Sequence, residues 1–347
     1  MLLRFLRSLA LLGLSVGSVF GPPLVVWAGT PPAGGQNGGD FSQNADATPV
    51  PAGVLIVKGA WSSASDSVTP LPEGGSVAGP DYGNPYFGLN YPLPAGWIQG
   101  YDGPPPSDTG FYVLAEIQPA DSVRGARGTV LITAQDMFFA TTSAHDPLGL
   151  LIDTRDHLQA DYKVEQPIEE VRIGDHAFVR LAYTSPGAKL HWTVLATQIR
   201  CHTVEFVYTS RDSRLIGSLV QGMSKMTLPA ASGLQAQSSA EDAPVCIKDY
   251  ASADNVITRV DPMFSERRAN PIPVRVIIDA SGKVKQVHII SGFPDQARSI
   301  TDALSQWRFK PYLREGRAVE VETGILFGRR AAARMPATLE ADDGIKK

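Results

Sequence analysis

The amino-acid sequence predicts an α+β protein in which two folded domains are joined by polar segments. Residues 273–328 follow the order strand, strand, helix, strand, which predicts a small sheet covered by one helix. Residues 84–229 follow a meander of strands with one helix in the middle and one at the end. This second pattern predicts an antiparallel sheet with covering helices. A length of 347 residues fits two such domains with connecting segments.

The first 28 residues have the features of a secretory signal peptide. They combine a positively charged start, an apolar run over residues 8–20 and a small-x-small cleavage site, carried by Arg4, Arg7, Val26, Trp27 and Ala28. We therefore expect export, with Gly29 as the first residue of the exported protein. An uncleaved inner-membrane anchor is the alternative, although serines, glycines and prolines interrupt the apolar run and disfavour a spanning helix.

Three further segments are expected to lack a folded core of their own. Residues 29–83 are rich in Gly, Pro and Ser and are predicted to be flexible, with only residues 53–61 able to form a strand. Residues 230–252 form a second polar linker, and residues 331–347 form a charged tail that we expect to be disordered. These segments have too few apolar side chains to offset the entropy lost on ordering.

The domain at residues 84–229 is predicted from alternating apolar and polar side chains. Its clearest strands are at residues 111–117, 129–137, 177–185, 190–198 and 202–209. A helix is predicted over residues 147–162. A closing helix follows from the spacing of Leu215, Leu219, Val220, Met223 and Met226.

The C-terminal domain, residues 253–330, has the most regular pattern in the chain. Strands are predicted at residues 273–279 and 284–291, with Gly282 turning the hairpin between them. A helix begins at Pro294 and carries an apolar stripe formed by Ala297, Ile300, Ala303, Leu304 and Trp307. A final strand is predicted over residues 319–328.

Several motifs within residues 255–329 resemble the TonB C-terminal domain family. They are D-x-x-G-x-V in the hairpin, W-R-F-K-P after the helix and G-x-x-V before the last strand, at residues 279–284, 307–311 and 316–319. Residues 260–269 resemble the P-x-Y-P-x-x-A segment of the family, with Met263 and Phe264 in place of its Tyr-Pro pair. The resemblance implies a small βαβ domain that binds a short extended peptide.

The middle domain resembles the PsbP-like fold. The similarity lies in its opening motif, F-G-L-x-Y-x-x-P-x-x-W, at residues 87–97, and in the closing helix. This resemblance implies a PsbP-like antiparallel sheet with covering helices. Modules of that fold usually serve in binding or assembly rather than in catalysis.

The TonB resemblance also implies which strand binds the partner. An exposed sheet edge offers N–H and C=O groups to an incoming strand, and the last strand is the usual edge of the family. The residues expected to line it are Val319, Glu320, Val321, Glu322, Thr323, Gly324 and Ile325. Glu320 and Glu322 are expected on its outward face, so that binding would depend on the backbone rather than on these side chains.

Cys201 and Cys246 are the two cysteines of the sequence. Because exported proteins keep disulfides, we predict that the two are oxidised to each other. Such a bridge would hold the far end of the linker against the middle domain. Two separate buried thiols are the alternative.

No pattern in the sequence predicts an enzyme, a metal site or a cofactor site. The chain has no phosphate loop, dinucleotide fingerprint or zinc-binding motif, and no spacing of Ser, His and Asp selects a triad. Asp153, Asp156, His157 and Asp161 gather on one predicted helix, but a solvated face explains them better than a metal site. The net charge of −4 argues against a general nucleic-acid binder.

These features predict an exported, TonB-family periplasmic binding protein. Its expected partner is a protein or peptide of the cell envelope, such as an outer-membrane receptor in transmembrane transport, bound by strand addition to the C-terminal domain. Two alternatives stay open: an envelope adaptor without energy coupling, and a protein whose middle domain binds a ligand. An uncleaved N-terminus would add an inner-membrane tether.

Overall fold

The computed structural model describes eight stretches of the chain: residues 53–56, 62–67, 71–101, 107–120, 127–141, 144–229, 243–263 and 271–328. The predicted signal peptide and the predicted tail lie outside these residues. The described residues within 70–105 and 111–241 form one compact unit, called here the middle unit. Those within 50–69, 106–110 and 242–347 form a second, called the C-terminal unit.

The described part of the middle unit consists mainly of β-strands. These are β3 Ser76–Ala78, β4 Asp81–Asn84, β5 Leu89–Pro92, β6 Trp97–Tyr101, β7 Phe111–Pro119, β8 Gly128–Asp136, β9 Lys163–Ile173, β10 His176–Ser185, β11 Leu190–Ile199 and β12 His202–Ser210. The helices are α1 Pro147–Asp156 and α2 Ser213–Gly222, followed by a 3₁₀ turn at Met223–Lys225. Seven strands form one antiparallel sheet in the order β6-β7-β8-β12-β11-β10-β9, and β3-β4-β5 form a smaller sheet.

Both faces of the seven-stranded sheet carry buried side chains. On one face, Leu181, Trp192 and Val194 pack with Leu151 of α1. On the opposite face, the ring of Phe206 contacts the rings of Tyr91 and Phe178, with centroids 5.9 and 6.2 Å apart. The predicted α+β class is confirmed, and the sheet dominates it.

Helix α1 ends earlier than the predicted helix over residues 147–162. Asp146 caps its start by accepting a hydrogen bond from the backbone N–H of Gly149 (2.7 Å), and His157 follows its last residue. The chain must then turn, because Lys163 already pairs with Thr184 as the start of β9. The prediction that one helix carries Asp153, Asp156, His157 and Asp161 is therefore wrong for the last two residues.

The described part of the C-terminal unit has a six-stranded sheet and one α-helix. The strands are β1 Val54–Ile56, β2 Ser62–Asp66, β13 Val245–Cys246, β14 Val256–Thr258, β15 Ile272–Ile278, β16 Val284–Gly292, β17 Arg308–Phe309, β18 Tyr312–Arg314, β19 Arg317–Val319 and β20 Val321–Phe327. The helix is α3, Pro294–Ser305. The sheet order is β1-β2-β16-β15-β20-β13, while β14-β17 and β18-β19 form separate pairs.

The predicted hairpin, helix and last strand of this unit are present, but three expectations need correction. The last strand is divided, since Val319 belongs to the β18–β19 hairpin and the sheet strand begins at Val321. Residues 29–83 were expected to be flexible except for a strand within residues 53–61, where β1 lies, yet they also contain β2, β3 and most of β4. The linker at residues 230–252 contains β13. In each case strand pairing supplies stability that local composition does not indicate.

Gly282 links two of the sequence motifs. It turns the β15–β16 hairpin with a φ of +85°, and its carbonyl oxygen accepts a hydrogen bond from the backbone N–H of Phe309 (2.8 Å). A Cβ atom at this position would lie 2.0 Å from the carbonyl oxygen of Phe309. Both the backbone conformation and the close approach of the W-R-F segment therefore require glycine.

Trp307 fills the core between helix α3 and the sheet. Its side chain is 2% exposed, and its ring lies 5.8 Å from that of Phe309 and 6.0 Å from that of Phe327. The indole Nε1–H donates to the backbone oxygen of Val260 (2.8 Å). One side chain thus holds the helix end, the last strand and the segment before β15 together.

We predict that Trp307→Ala lowers the stability of the C-terminal unit by about 3–5 kcal/mol, because it leaves a large cavity. The measurement is the protection free energy of the slowest-exchanging β15 amides in the full chain. Leu313→Ala is the control, since Leu313 is 60% exposed and its truncation should cost less than about 0.5 kcal/mol. Equal effects of the two substitutions would contradict the packing described.

Candidate functional site

The predicted partner-binding residues do not all lie on one strand. Val319 lies in β19, and Glu320 connects this strand to β20. Val321, Glu322, Thr323, Gly324 and Ile325 lie in β20, which pairs with β15 on one side. The predicted edge is therefore the other side of β20.

A strand from the predicted linker already occupies part of that edge. β13 pairs in parallel with β20, placing Val245 beside Val321 and Cys246 beside Glu322. The backbone N–H of Val245 donates to the oxygen of Glu320 (2.8 Å), and that of Ile247 donates to the oxygen of Glu322 (3.0 Å). Beyond this pairing, Gly324–Phe327 has no strand on that side in the part of the chain that the structure describes.

The opposite edge of the sheet is also covered by the chain itself. β2 pairs with β16, aligning Ala64 with Ile289 and Ser65 with His288. The N-terminal hairpin of β1 and β2 thus extends the sheet, and β1 becomes the outer strand on this side. Small side chains suit this position, since Ser63, Ala64 and Ser65 are all buried.

Glu322 does not lie on an exposed outward face, contrary to the prediction. It is 4% exposed, and its Oε1 lies 2.8 Å from Nε of Arg275, which is 3% exposed. Glu320 is only partly exposed and forms an ion pair with Lys285 (2.6 Å). The two glutamates therefore have different roles, one inside the sheet packing and one near solvent.

A hydrogen-bonded row crosses the sheet from β20 to β2. Beside the Arg275–Glu322 pair, Nη2 of Arg275 lies 3.4 Å from Nδ1 of His288, and Nε2 of His288 lies 2.8 Å from Oγ of Ser63. A guanidinium group can only donate, so Nδ1 accepts and Nε2 carries the proton that it donates to Ser63. The row joins the N-terminal hairpin to the strand that was predicted to bind the partner.

Cys201 and Cys246 are disulfide-bonded to each other, as predicted. Cys201 is 2% exposed, whereas Cys246 is exposed within β13. The bridge therefore ends on the strand that covers the β20 edge.

The middle unit contains a carboxyl group with an altered pKa. Burial raises the pKa of Glu205 to about 7, and the hydrogen bond from the Thr133 hydroxyl (3.2 Å) lowers it by a smaller amount. Nearby on the other sheet face, Nε2 of His202 lies 3.7 Å from Oδ2 of Asp136, both fully buried. The rings of Tyr86, Phe87 and Tyr112 surround this histidine.

Neither metal ligands nor a membrane span stand out in the described stretches. Nδ1 of His157 lies 3.5 Å from Oδ1 of Asp153, but no group of three or more His, Cys, Asp or Glu side chains there is placed to hold a metal ion. No helix in those stretches is long and apolar enough to cross a membrane.

The C-terminal unit is thus a small sheet domain in which β2 and β13 of the same chain pair with the outer sides of β16 and β20. Its residues 267–328 match the family model described as Gram-negative bacterial TonB protein C-terminal. The match covers less than a fifth of the chain, and it confirms the resemblance that the motifs in this region indicated. It supports a TonB-family protein of the Gram-negative cell envelope.

Comparison with solved structures gives a similarity over part of the chain. The solution structure of cyanobacterial PsbP (CyanoP) from Synechocystis sp. PCC 6803 is 15% identical, with a TM-score of 0.31, and the alignment covers 44% of this chain and 98% of that one. No curated protein sequence matches the chain.

Sequence reasoning missed the strands and side chains that complete the sheet. β2 and β13 are short and lie in polar segments, so their composition gave little signal. The buried row had a usable signal, because Arg275, His288 and Glu322 lie on predicted strands and are polar side chains that strand alternation places on one face. In the β15–β16 hairpin Arg275 lies beside His288. A prediction of this strand register would have brought the two residues together.

We predict that Glu322→Gln destabilises the C-terminal unit by about 3–5 kcal/mol, because it leaves the buried guanidinium of Arg275 without a negative partner. Urea unfolding of the full chain, followed by amide exchange in β15, measures the change. Glu320→Gln is the matched control and should cost less than about 1 kcal/mol, since its ion pair with Lys285 is partly exposed. Similar losses in both variants would contradict the assigned burial.

We predict that Glu205→Gln has a pH-dependent effect on the middle unit. The folded pKa of about 7 exceeds the ordinary 4.5, so the native carboxyl keeps a proton that the unfolded chain releases, and stability falls as the pH rises through this range. The variant should match the parent at pH 4 and be more stable by about 1–3 kcal/mol at pH 8. Glu170→Gln, at an exposed position, should change stability by less than about 0.5 kcal/mol at both values. A constant effect of Glu205→Gln would contradict the assignment.

Proposed function

We propose that the protein is an exported, periplasmic binding protein of the TonB family. It engages an envelope or outer-membrane transport partner by adding a strand to β20. The observation that carries this proposal is the pairing of β13 with β20, which indicates that this edge is shaped to accept an extended segment. The family match at residues 267–328 supports the cell envelope as the setting.

The free part of the edge lies beyond Glu322. Because the carbonyl groups of Glu320 and Glu322 point toward β13, strand alternation directs the backbone groups of Gly324 and Leu326 to the same side. A partner segment can continue the line of β13 along these residues. The contacts would be between backbones, which tolerates variation in the partner's side chains.

This mode of recognition fits a binding role better than catalysis. At the β20 edge the chain offers backbone donors and acceptors, while the charged side chains nearby are held in ion pairs, Arg275 with Glu322 and Lys285 with Glu320. We therefore propose that the protein is not an enzyme and that its partner is a protein or peptide.

The test is photo-crosslinking in envelope fractions from cells that express the full chain. A benzophenone amino acid at Leu326, a partly exposed residue of the open edge, should capture a discrete envelope protein through an extended segment. Gly324→Pro removes one edge donor and should reduce this crosslink at least tenfold. Gly324→Ala keeps the backbone N–H and should retain it.

Two controls separate binding from folding. The same probe at Leu313, which is 60% exposed on the β18–β19 hairpin, should not capture the same protein. Amide exchange in β15 should be equal in the proline and alanine variants. Loss of the crosslink in both variants, or capture by Leu313 alone, would refute strand addition at β20, and a ligand bound to the middle unit would then be the better account.

A further inference from the structure

We infer that one surface of the C-terminal unit binds the anionic lipid headgroups of a membrane. The surface is formed by β14, β17 and β18, and it is called here the basic surface. The side chains that face outward on it are those of Ile257, Arg308, Lys310 and Leu313. The inference goes beyond the proposed function, because these residues belong neither to β20 nor to β13.

The three short strands of the basic surface turn alternate side chains toward one core. Phe309 of β17 is buried in that core, and Val256 of β14 and Tyr312 of β18 pack against it. Strand pairing holds β14 beside β17, since Val256 is aligned with Phe309 and the backbone N–H of Lys310 donates to the oxygen of Asn255 (2.8 Å). Successive side chains of a strand point in opposite directions, so the neighbours of the core residues face away from the core.

Two large apolar side chains are exposed on this surface. Ile257, which follows Val256, is 63% exposed, and Leu313, which follows Tyr312, is 60% exposed. Leu313 lies two residues before the Glu315–Gly316 turn of the β18–β19 hairpin, so it stands close to the end of a projecting element. Exposed apolar side chains with polar surroundings are typical of surfaces that contact a membrane or a protein.

Cations surround these two apolar side chains. Residues 308–314 contain three basic side chains, Arg308, Lys310 and Arg314, and no acidic one. Lys283 adds a further exposed cation, because it forms an isolated antiparallel bridge with Arg308. The basic surface therefore combines an excess of positive charge with exposed apolar groups.

This positive charge is not neutralised by nearby carboxylates. Arg308 donates to the backbone oxygens of Ser305 (3.1 Å) and Trp307 (2.6 Å), which carry no net charge. Within the stretches that the structure describes, no ion pair joins Lys310 to an acidic side chain. Lys285, by contrast, is paired with Glu320 and does not belong to the basic surface.

A membrane with anionic headgroups matches both parts of the basic surface. Headgroup phosphates attract Lys and Arg side chains, and the boundary with the acyl chains accepts apolar side chains such as Leu313 and Ile257. An acidic peptide would match the cations, but its charge gives no reason for the two exposed apolar side chains. The family match to a Gram-negative envelope protein supports a setting in which such membranes are present.

The test is co-sedimentation of the full chain with vesicles of phosphatidylcholine that contain about one third phosphatidylglycerol. The chain should bind them at least tenfold more tightly than vesicles of phosphatidylcholine alone. The double variant Lys283→Gln, Lys310→Gln should bind at least tenfold more weakly, because each cation near an anionic membrane contributes about fivefold. Leu313→Gln should bind at least fivefold more weakly, because the apolar contact is lost.

Matched substitutions in the middle unit are the controls. The double variant Lys163→Gln, Lys225→Gln removes two exposed cations, and Leu148→Gln removes an exposed leucine. Each should change binding less than twofold, and amide exchange in β15 should be equal in all variants. Equal binding to vesicles without phosphatidylglycerol, or equal losses in test and control variants, would overturn the inference. Binding to polyglutamate as tight as to the vesicles, and unchanged by Leu313→Gln, would also overturn it, because an acidic peptide would then be the better partner.

Discussion

Backbone hydrogen bonding at the edges of the strands β16, β15 and β20 is the constraint on which the C-terminal unit depends. A three-stranded sheet has two edges, and the backbone N–H and C=O groups along each edge must hydrogen-bond to water or to another strand. This chain covers one row with β2, more than two hundred residues earlier than β16, and half of the other with β13. Segments that look like connectors by composition are therefore parts of the sheet.

The buried polar row explains why these strands pair in one register. Arg275 stands between His288 and Glu322, and Ser63 continues the row onto β2. A slip of one residue in any strand would turn its member of the row to the apolar face beneath helix α3. Buried ion pairs contribute little net stability, but they penalise wrong arrangements strongly. The row and the strand edges thus act together, one selecting the register and the other supplying the pairing.

The sequence allowed prediction of elements whose signals are local. The hairpin, helix α3 and its apolar stripe followed from spacing, and the need for glycine at position 282 followed from the turn. The disulfide followed from export and a count of two cysteines. Elements that are stabilised by residues far away in the sequence could not be predicted. The strand β2 has the sequence Ser-Ser-Ala-Ser-Asp, and its pairing with β16 stabilises it as a strand. The burial of Glu322 was not predicted either, because its ion-pair partner Arg275 lies 47 positions earlier, on another strand.

Cross-strand proton contacts in the oxidised full chain give the most direct test of this account. Nuclear Overhauser spectra of selectively labelled protein can detect three pairs in one sample: Val276 with Val287, Ala64 with Ile289, and Val245 with Val321. The first pair reports the central hairpin, and the other two report the strands that cover its edges. We expect all three. Contact between Val276 and Val287 without one of the other two would show that the chain leaves that edge open, and would contradict the central claim.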